Sequence, residues 1–167
     1  GYWRRRKGRP ETHQPRQTAN ATHCYNRSPK IDWLAHIDVD EFIWPLSPLG
    51  GQLAAAPDGA ISARIRPIEA LAPDPENPPS PGRIWCKGVT RQRGQRNAQT
   101  AEIFPTYGTH LNGGFLSHVV GKVFVRTGLD KIGLRIHNAY EKGKIDGNSY
   151  EMSGTLLCHL HAPSWQA

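Results

Sequence analysis

The sequence has few cysteines, and they are far apart. Cys24, Cys86 and Cys158 are the only three in 167 residues, and no Cys-x-x-Cys pair is present. An odd number of widely spaced cysteines argues against a disulfide framework or a zinc knuckle and favours free thiols in a reducing compartment. We therefore expect a cytoplasmic protein.

Long apolar runs and several common enzyme motifs are also missing. No run approaches the roughly 20 apolar residues that a membrane-spanning helix needs. The sequence has no Gly-x-x-x-x-Gly-Lys-Ser/Thr phosphate loop, no Gly-x-Ser-x-Gly nucleophile elbow and no His-x-His-x-Asp-His string. These absences remove several competing classes of enzyme.

Positive charge is in excess. The net charge is +7 and the pI is about 9.6, which suits anionic partners such as nucleotide diphosphates, phospholipid head groups or nucleic acid. Residues 1–13 form a basic terminus, which is either a solvated end or a basic surface that meets a phosphate or the inner face of a membrane.

An apolar stretch that ends in three acids dominates the first third of the chain. Residues 31–39 predict a buried strand, and a buried strand tolerates acids only where it surfaces at a site. On a strand, Asp38 and Asp40 point to the same side, with His36 deeper on that face. Adjacent carboxylates repel unless a cation lies between them, so the pair predicts a divalent metal site. The alternative is an Asp-x-Asp that caps a helix or faces solvent.

The string Asp-Trp-Leu-x-x-Ile-Asp-Val-Asp-Glu-Phe-Ile at residues 32–43 resembles the metal-binding strand of bacterial family 2-like glycosyltransferases, a group related to the family 92 enzymes. The resemblance includes Trp33 and the Glu41-Phe42 pair as well as the two aspartates. It implies that the aspartates hold Mn²⁺ or Mg²⁺, which binds the diphosphate of a nucleotide sugar. Asp40 is expected to coordinate directly, and Asp38 to reach the ribose, or the metal through water. Glu41 is expected to brace the turn.

The resemblance runs from about residue 14 onward and implies an α/β fold: a partial GT-A mixed sheet with flanking helices in a single domain over residues 1–167. In GT-A enzymes the acid-bearing strand follows several β-α units. Only one helix, predicted from Pro15 to Asn26, precedes it here. We therefore expect a fragment that lacks most of the N-terminal nucleotide-binding half.

A second informative stretch covers residues 113–126. Two glycines open it, where a backbone must approach something closely, and a strand with Lys122 and Arg126 follows. Ser-His-x-x-Gly-Lys-x-Phe-x-Arg resembles the downstream part of the same glycosyltransferases. Lys122 and Arg126, with Asp38, are the predicted substrate-binding residues. Lys122 either offsets the charge of the departing diphosphate or extends along its own strand towards water.

Two histidines lie near the end of the sequence. His159 and His161 share one face of a strand predicted at 155–161. In GT-A enzymes a late histidine commonly completes the metal shell, so the predicted metal ligands are Asp38, Asp40, His159 and His161. The alternative is that both histidines are ordinary polar positions.

The catalytic base is less well marked. Residues 60–68 alternate like a half-exposed strand with a basic polar side, and Glu69 follows at its end. Glu69 and Glu102 are the candidates for the base, with a surface ion pair between Glu69 and Arg64 or Arg66 as the alternative. A proline-rich loop spans residues 72–83.

The resemblance thus implies transfer of a sugar from a nucleotide-diphosphate donor to a hydroxyl of a glycan or lipid-linked acceptor, as in polysaccharide, lipopolysaccharide or capsule synthesis. One alternative is a nucleic-acid-associated metal protein, but outside Trp3 and Trp85 aromatic residues do not interleave with the basic clusters, so we do not expect nucleic acid as a partner. The other alternative is an inactive fragment of a transferase.

Overall fold

The computed structural model describes residues 8–28 and 30–161 of the chain. They form a mixed α/β structure, which confirms the predicted α/β class. The helices are α1 (His13–Tyr25), α2 (Leu49–Ala54) and α3 (Arg93–Ile103), and a 3-10 turn spans Gly108–His110. The strands are β1 (Trp33–Ala35), β2 (Glu41–Pro45), β3 (Ser62–Ala70), β4 (Cys86–Lys87), β5 (Lys122–Arg126), β6 (Ile132–Leu134), β7 (Ala139–Glu141), β8 (Lys144–Ile145) and β9 (Tyr150–His159).

The chain divides into two compact units. The first contains the chain up to His36, then Leu53–Arg64 and Lys122–Glu151. The second contains Ile37–Gln52, Ile65–Gly121 and the chain from Met152 onward. Strands β3 and β9 each begin in the first unit and continue into the second.

The first unit is built on an apolar core. Strand β1 pairs antiparallel with β5, and β6, β7 and β8 form a small antiparallel sheet in that order. Ala21 and Tyr25, four residues apart on one face of α1, pack in the same apolar cluster as residues of these strands. The core cluster consists of Ala21, Tyr25, Val123, Val125, Ile132, Leu134 and Ala139.

Helix α1 confirms the helix predicted at 15–26, with its start two residues earlier. Pro15 lies in the first turn, where its missing N–H costs no hydrogen bond. The Tyr25 hydroxyl anchors the other end by donating to the backbone carbonyl of Arg126, 2.8 Å away. Of the predicted basic terminus at 1–13, residues 1–7, including Trp3, lie outside the described residues, and residues 8–12 contain no helix or strand.

The second unit is built on two antiparallel strand pairs. Strand β2 pairs with β9, and this register places Glu41 opposite His159. Strand β3 pairs with β4, and here Glu69 lies opposite Lys87. In both pairs the opposed residues have ionisable side chains, and directly opposed side chains on a sheet are close enough to interact.

The strand predicted at 31–39 is shorter than expected. Strand β1 ends at Ala35, and the chain turns at Val39 and Asp40 before β2 begins. The prediction that Asp38 and Asp40 share one face of a strand is therefore wrong. The reason is local: the Glu41 N–H donates to the Asp38 carbonyl, 3.2 Å away, which closes a turn around the acids.

The prediction of a half-exposed strand at 60–68 is also wrong. Strand β3 is buried along nearly all its length, and Arg64 is buried with it. The Arg64 guanidinium donates to the carbonyl of His137 at 3.0 Å and to the side-chain oxygen of Asn138 at 2.8 Å, and these hydrogen bonds offset the cost of burying its charge.

Several other segments are simpler. The proline-rich segment 72–83 contains no helix or strand. Strand β9 begins at Tyr150, before the start of the predicted strand at 155–161, and it ends at His159. The prediction that His159 and His161 share one face of a strand is therefore wrong, because His161 lies beyond the residue of β9 that pairs with Glu41. Helix α3 begins at Arg93. Across residues 8–28 and 30–161, no helix combines the length and the apolar character needed to cross a membrane.

Candidate metal centre

Three of the four predicted metal ligands lie together in the second unit. One side-chain oxygen of Asp40 and one ring nitrogen from each of His159 and His161 all lie within 4.8 Å of one another. The Asp40 Oδ2 atom is 3.1 Å from His159 Nε2, and the rings of the two histidines are 5.3 Å apart between centroids. Asp38 does not belong to this group.

Pairing between β2 and β9 brings these residues together. His159 ends β9 opposite Glu41, the first residue of β2. One residue beyond that pair, the backbone N–H of Leu160 donates to the Asp40 carbonyl at 2.9 Å. This hydrogen bond fixes Asp40 beside Leu160, the residue between His159 and His161. Asp40 is therefore close to both histidines, although about 120 residues of sequence separate it from them.

The turn before β2 holds the acid in place. The carboxylate of Glu41 accepts the backbone N–H of Asp38 at 2.8 Å, which confirms the prediction that Glu41 braces the turn. Glu41 is buried, whereas Val39 at the tip of the turn is fully exposed. The Asp40 side chain is 39% exposed, so the group is open to solvent on one side.

The other ring nitrogen of His159 is part of a hydrogen-bond network. His159 Nδ1 lies 3.0 Å from the Ser117 hydroxyl oxygen. The Ser117 hydroxyl donates to Glu69 Oε1 at 2.8 Å, and its backbone N–H reaches the same oxygen at 2.9 Å. The second oxygen of Glu69 accepts the N–H of Leu116 at 3.0 Å and lies 2.9 Å from the Lys87 ammonium.

Glu69 is thus a buried anion with four donors. Only 1% of the residue is exposed. Burial alone would raise the pKa of Glu69, but the Lys87 ammonium, the two backbone N–H groups and the Ser117 hydroxyl outweigh burial and hold the pKa below its usual value. The expected surface ion pair with Arg64 or Arg66 is wrong, because the β3–β4 register supplies Lys87 instead.

The glycine pair predicted to allow a close approach shapes the loop that carries Ser117. Gly113 and Gly114 both have positive φ angles, +62° and +87°. A side chain at Gly113 would place its first carbon 2.4 Å from a side-chain carbon of Arg96. Phe115, only 1% exposed, anchors the loop, and the next two N–H groups then point at Glu69.

The donor atoms fit a divalent cation. The 3.1 Å between Asp40 Oδ2 and His159 Nε2 is close to the roughly 3 Å that separates neighbouring ligands around a metal with bonds of about 2.1 Å. Imidazole nitrogen suits transition metals, whereas Mg²⁺ prefers oxygen ligands alone. Two histidines and one carboxylate therefore fit Mn²⁺ better than Mg²⁺.

The remaining predicted site residues do not belong to the group of Asp40, His159 and His161. Glu102 is exposed on α3. In the first unit Lys122 is fully buried, so the prediction that it extends towards water is wrong. Arg126, in the same unit, donates to the carbonyls of Ala60 and Pro57, and its guanidinium lies 4.5 Å from the centre of the Trp33 ring.

The sequence did not single out Ser117 or Lys87 as functional residues. Ser117 had a signal, because it lies three residues after the Gly113-Gly114 pair and precedes a histidine. His118 is also near the site, with its ring 5.9 Å from that of His159. Lys87 had no local signal, since only the β3–β4 register places it at Glu69.

The chain was compared with protein-family models, curated proteins and solved structures, and none of the three comparisons found a match. The resemblance to glycosyltransferases therefore stays a prediction.

Proposed function

We propose that this chain is a metal-dependent glycosyltransferase, or the metal-binding part of one, with a GT-A type sheet. It would move a sugar from a nucleotide-diphosphate donor to a hydroxyl of a glycan or lipid-linked acceptor. One observation carries the proposal: Asp40 lies beside the two late histidines, His159 and His161, with donor atoms spaced for one cation. That combination of an early acid and a late histidine is what the resemblance implies.

The three side chains would hold the cation from the protein side. When bound, a divalent cation there acts as a Lewis acid that stabilises negative charge on the departing diphosphate. Asp40 supplies the anionic ligand, and its partial exposure leaves room for donor oxygens on the solvent side. The resemblance implies Mn²⁺ or Mg²⁺, and of these two ions Mn²⁺ is favoured because Mg²⁺ prefers oxygen ligands alone.

The contacts of Glu69 support a positioning role for this residue. A catalytic base must reach the acceptor hydroxyl and take its proton. The carboxylate of Glu69 is buried, and both oxygens already accept two donors each. Glu102 is exposed and stays a candidate for the base.

Calorimetric titration of the full chain with Mn²⁺ tests the site. We expect Asp40→Asn to weaken Mn²⁺ binding by more than about a hundredfold, because changing even a residue that only orients a ligand costs about 10–100-fold. Asp38→Asn should weaken it less, since Asp38 is outside the ligand group. Asp58→Asn, at an exposed turn, is the matched control and should leave the affinity unchanged.

Equal Mn²⁺ affinity in the wild type and Asp40→Asn would reject this metal centre. The transferase assignment has its own test, in which the Mn²⁺-loaded chain is titrated with a panel of nucleoside diphosphates. Metal-dependent binding of one of them supports the proposal. Binding of an oligonucleotide that weakens steeply with salt, without binding of any nucleoside diphosphate, would instead favour the nucleic-acid alternative.

A further inference from the structure

A continuous chain of polar contacts runs from the metal-ligand group into the interior of the second unit. Asp40 Oδ2 lies 3.1 Å from His159 Nε2, and His159 Nδ1 lies 3.0 Å from the Ser117 hydroxyl. The hydroxyl lies 2.8 Å from Glu69, and Glu69 lies 2.9 Å from the Lys87 ammonium. Each residue is held by the next, so the protonation of one ring nitrogen depends on its neighbours.

The number of hydrogen atoms available for donation determines whether His159 Nδ1 carries one. A hydroxyl has one hydrogen to donate, and a carboxylate beside an ammonium group only accepts. The Ser117 hydrogen is therefore directed at Glu69, because otherwise two oxygen lone pairs would face each other at 2.8 Å. The Ser117 oxygen then offers a lone pair to His159, and Nδ1 must carry the hydrogen in that contact.

The consequence appears at the opposite nitrogen of the ring. A neutral imidazole with its hydrogen on Nδ1 has a lone pair on Nε2. That lone pair faces the Asp40 carboxylate at 3.1 Å, so two acceptors point into the same space, with a nitrogen of His161 nearby. A cation between these atoms turns the repulsion into attraction.

We propose that Ser117, fixed by Glu69, is a positioning residue that keeps the hydrogen of His159 on Nδ1, so that Nε2 is available to bind a metal ion. The inference rests on the metal centre of the proposed function, but not on the identity of the substrate. Without the Ser117 hydroxyl, His159 is free to carry its hydrogen on Nε2 and donate it to Asp40. That hydrogen bond would occupy the two atoms that the metal needs.

The first test measures the ring directly, with no metal present. Long-range ¹H–¹⁵N spectra of the metal-free full chain, at about pH 8.5, report which nitrogen of each histidine is protonated; free histidine is mostly neutral at that pH. The His159 signals are identified by their loss in His159→Gln. We expect Nδ1 to be protonated in the wild type and in Ser117→Thr, which keeps the hydroxyl. In Ser117→Ala we expect the hydrogen on Nε2.

The second test measures Mn²⁺ affinity by calorimetry. Ser117→Ala should bind Mn²⁺ about 10–100-fold more weakly than the wild type, the usual cost of removing a group that orients a metal ligand. Ser117→Thr should stay within about threefold. Ser80→Ala is the matched control because it removes the same hydroxyl from an exposed loop, and it should change nothing.

The two proposals fail in different ways. If the wild type binds no Mn²⁺, the metal centre is rejected. The spectra still decide which ring nitrogen of His159 carries the hydrogen when the Ser117 hydroxyl is present. If the wild type binds Mn²⁺ but Ser117→Ala binds equally well, or keeps Nδ1 protonated to the same extent, the positioning role of Ser117 is overturned.

Discussion

The two compact units bury charges of opposite sign. Among the described residues of the first unit, the buried charged side chains are the cations Arg64 and Lys122. In the second unit they are carboxylates, Glu41 and Glu69, and a buried histidine, His159, lies near them. Each kind of charge is costly to bury unless hydrogen bonds satisfy it.

The buried charged side chains hold different parts of the structure in place in the two units. Arg64 donates to the carbonyl of His137 and to the Asn138 side chain, so it ties a loop to the core of the first unit. Glu41 and Glu69 instead hold a turn and a loop that carry Asp40 and Ser117 towards His159. Arg64 of the first unit therefore holds a loop on its core, whereas Glu41 and Glu69 of the second unit hold the turn and the loop around the proposed metal centre.

The largest expected effect is on the stability of the first unit. Leu134→Ala truncates a side chain that is 2% exposed in the apolar core, and we expect it to lower the free energy of unfolding by about 2–5 kcal/mol. Leu46→Ala, at a residue 64% exposed, is the control and should cost less than about 0.5 kcal/mol. Urea unfolding measures both. A similar loss in the two variants would show that this core does not carry the stability.

A smaller effect separates the cysteines of the two units. Burial, and the Cys86 thiol 3.9 Å away, raise the pKa of Cys158 to about 11, whereas Cys24 in the first unit is exposed. A pKa of about 11 leaves roughly one thiol in a thousand ionised at pH 8. We expect iodoacetamide to alkylate Cys158 on the order of a hundredfold more slowly than Cys24 at that pH. Peptide mass spectrometry over time measures both rates.

The control for the cysteine experiment is the same reaction in concentrated urea, where the two rates should converge. Equal rates in the folded protein would mean that the interior of the second unit, directly beside His159, is as open as the surface of α1.

The smallest expected effect is the contribution of the buried carboxylate. Glu69→Gln should lower the free energy of unfolding by about 1–3 kcal/mol at pH 7, since it removes the charge that four donors stabilise. The pKa of Glu69 lies below its ordinary value of 4.5 in the folded state. Its contribution is therefore present above about pH 4.5 and is lost as the pH falls through the lower folded pKa.

Urea unfolding at a series of pH values tests this sign. The difference between the wild type and Glu69→Gln should narrow as the pH falls below about 4.5. Glu102→Gln makes the same change at an exposed helix position and should have an effect below about 0.5 kcal/mol at every pH. A constant difference across the series would contradict an ionised, hydrogen-bonded Glu69.

Local sequence patterns predicted several elements of the fold. Helix α1 and strand β5 were predicted from the spacing of apolar residues and from the positions of proline and glycine next to them. The two-residue spacing of His159 and His161 predicted that both would lie on one face of a strand, but their rings are 5.3 Å apart between centroids with His161 beyond the end of β9. These features depend on residues close in sequence, where backbone geometry decides the outcome.

Patterns of alternation failed where side chains found distant partners. Residues 60–68 alternate, yet Arg64 is buried because a loop more than 70 residues away supplies its acceptors. Asp38 and Asp40 lie in a turn and not in the predicted strand, because the Glu41 carboxylate accepts the backbone N–H of Asp38. The periodicity of apolar residues depends only on neighbouring positions in the sequence. It therefore cannot predict hydrogen bonds to partners such as those of Arg64 and Glu41.

The sequence by itself determined which residues were suited to a cation site: acids after an apolar stretch, and two histidines two residues apart at the other end of the chain. Only the tertiary structure decided that Asp40, and not Asp38, lies with the histidines, and that Ser117 and Glu69 stand behind His159. The register between β2 and β9 decided the first point, and the contacts of the Ser117 hydroxyl with Glu69 and His159 decided the second. A strand register is set by pairing across the sheet, and no local run of residues contains that information.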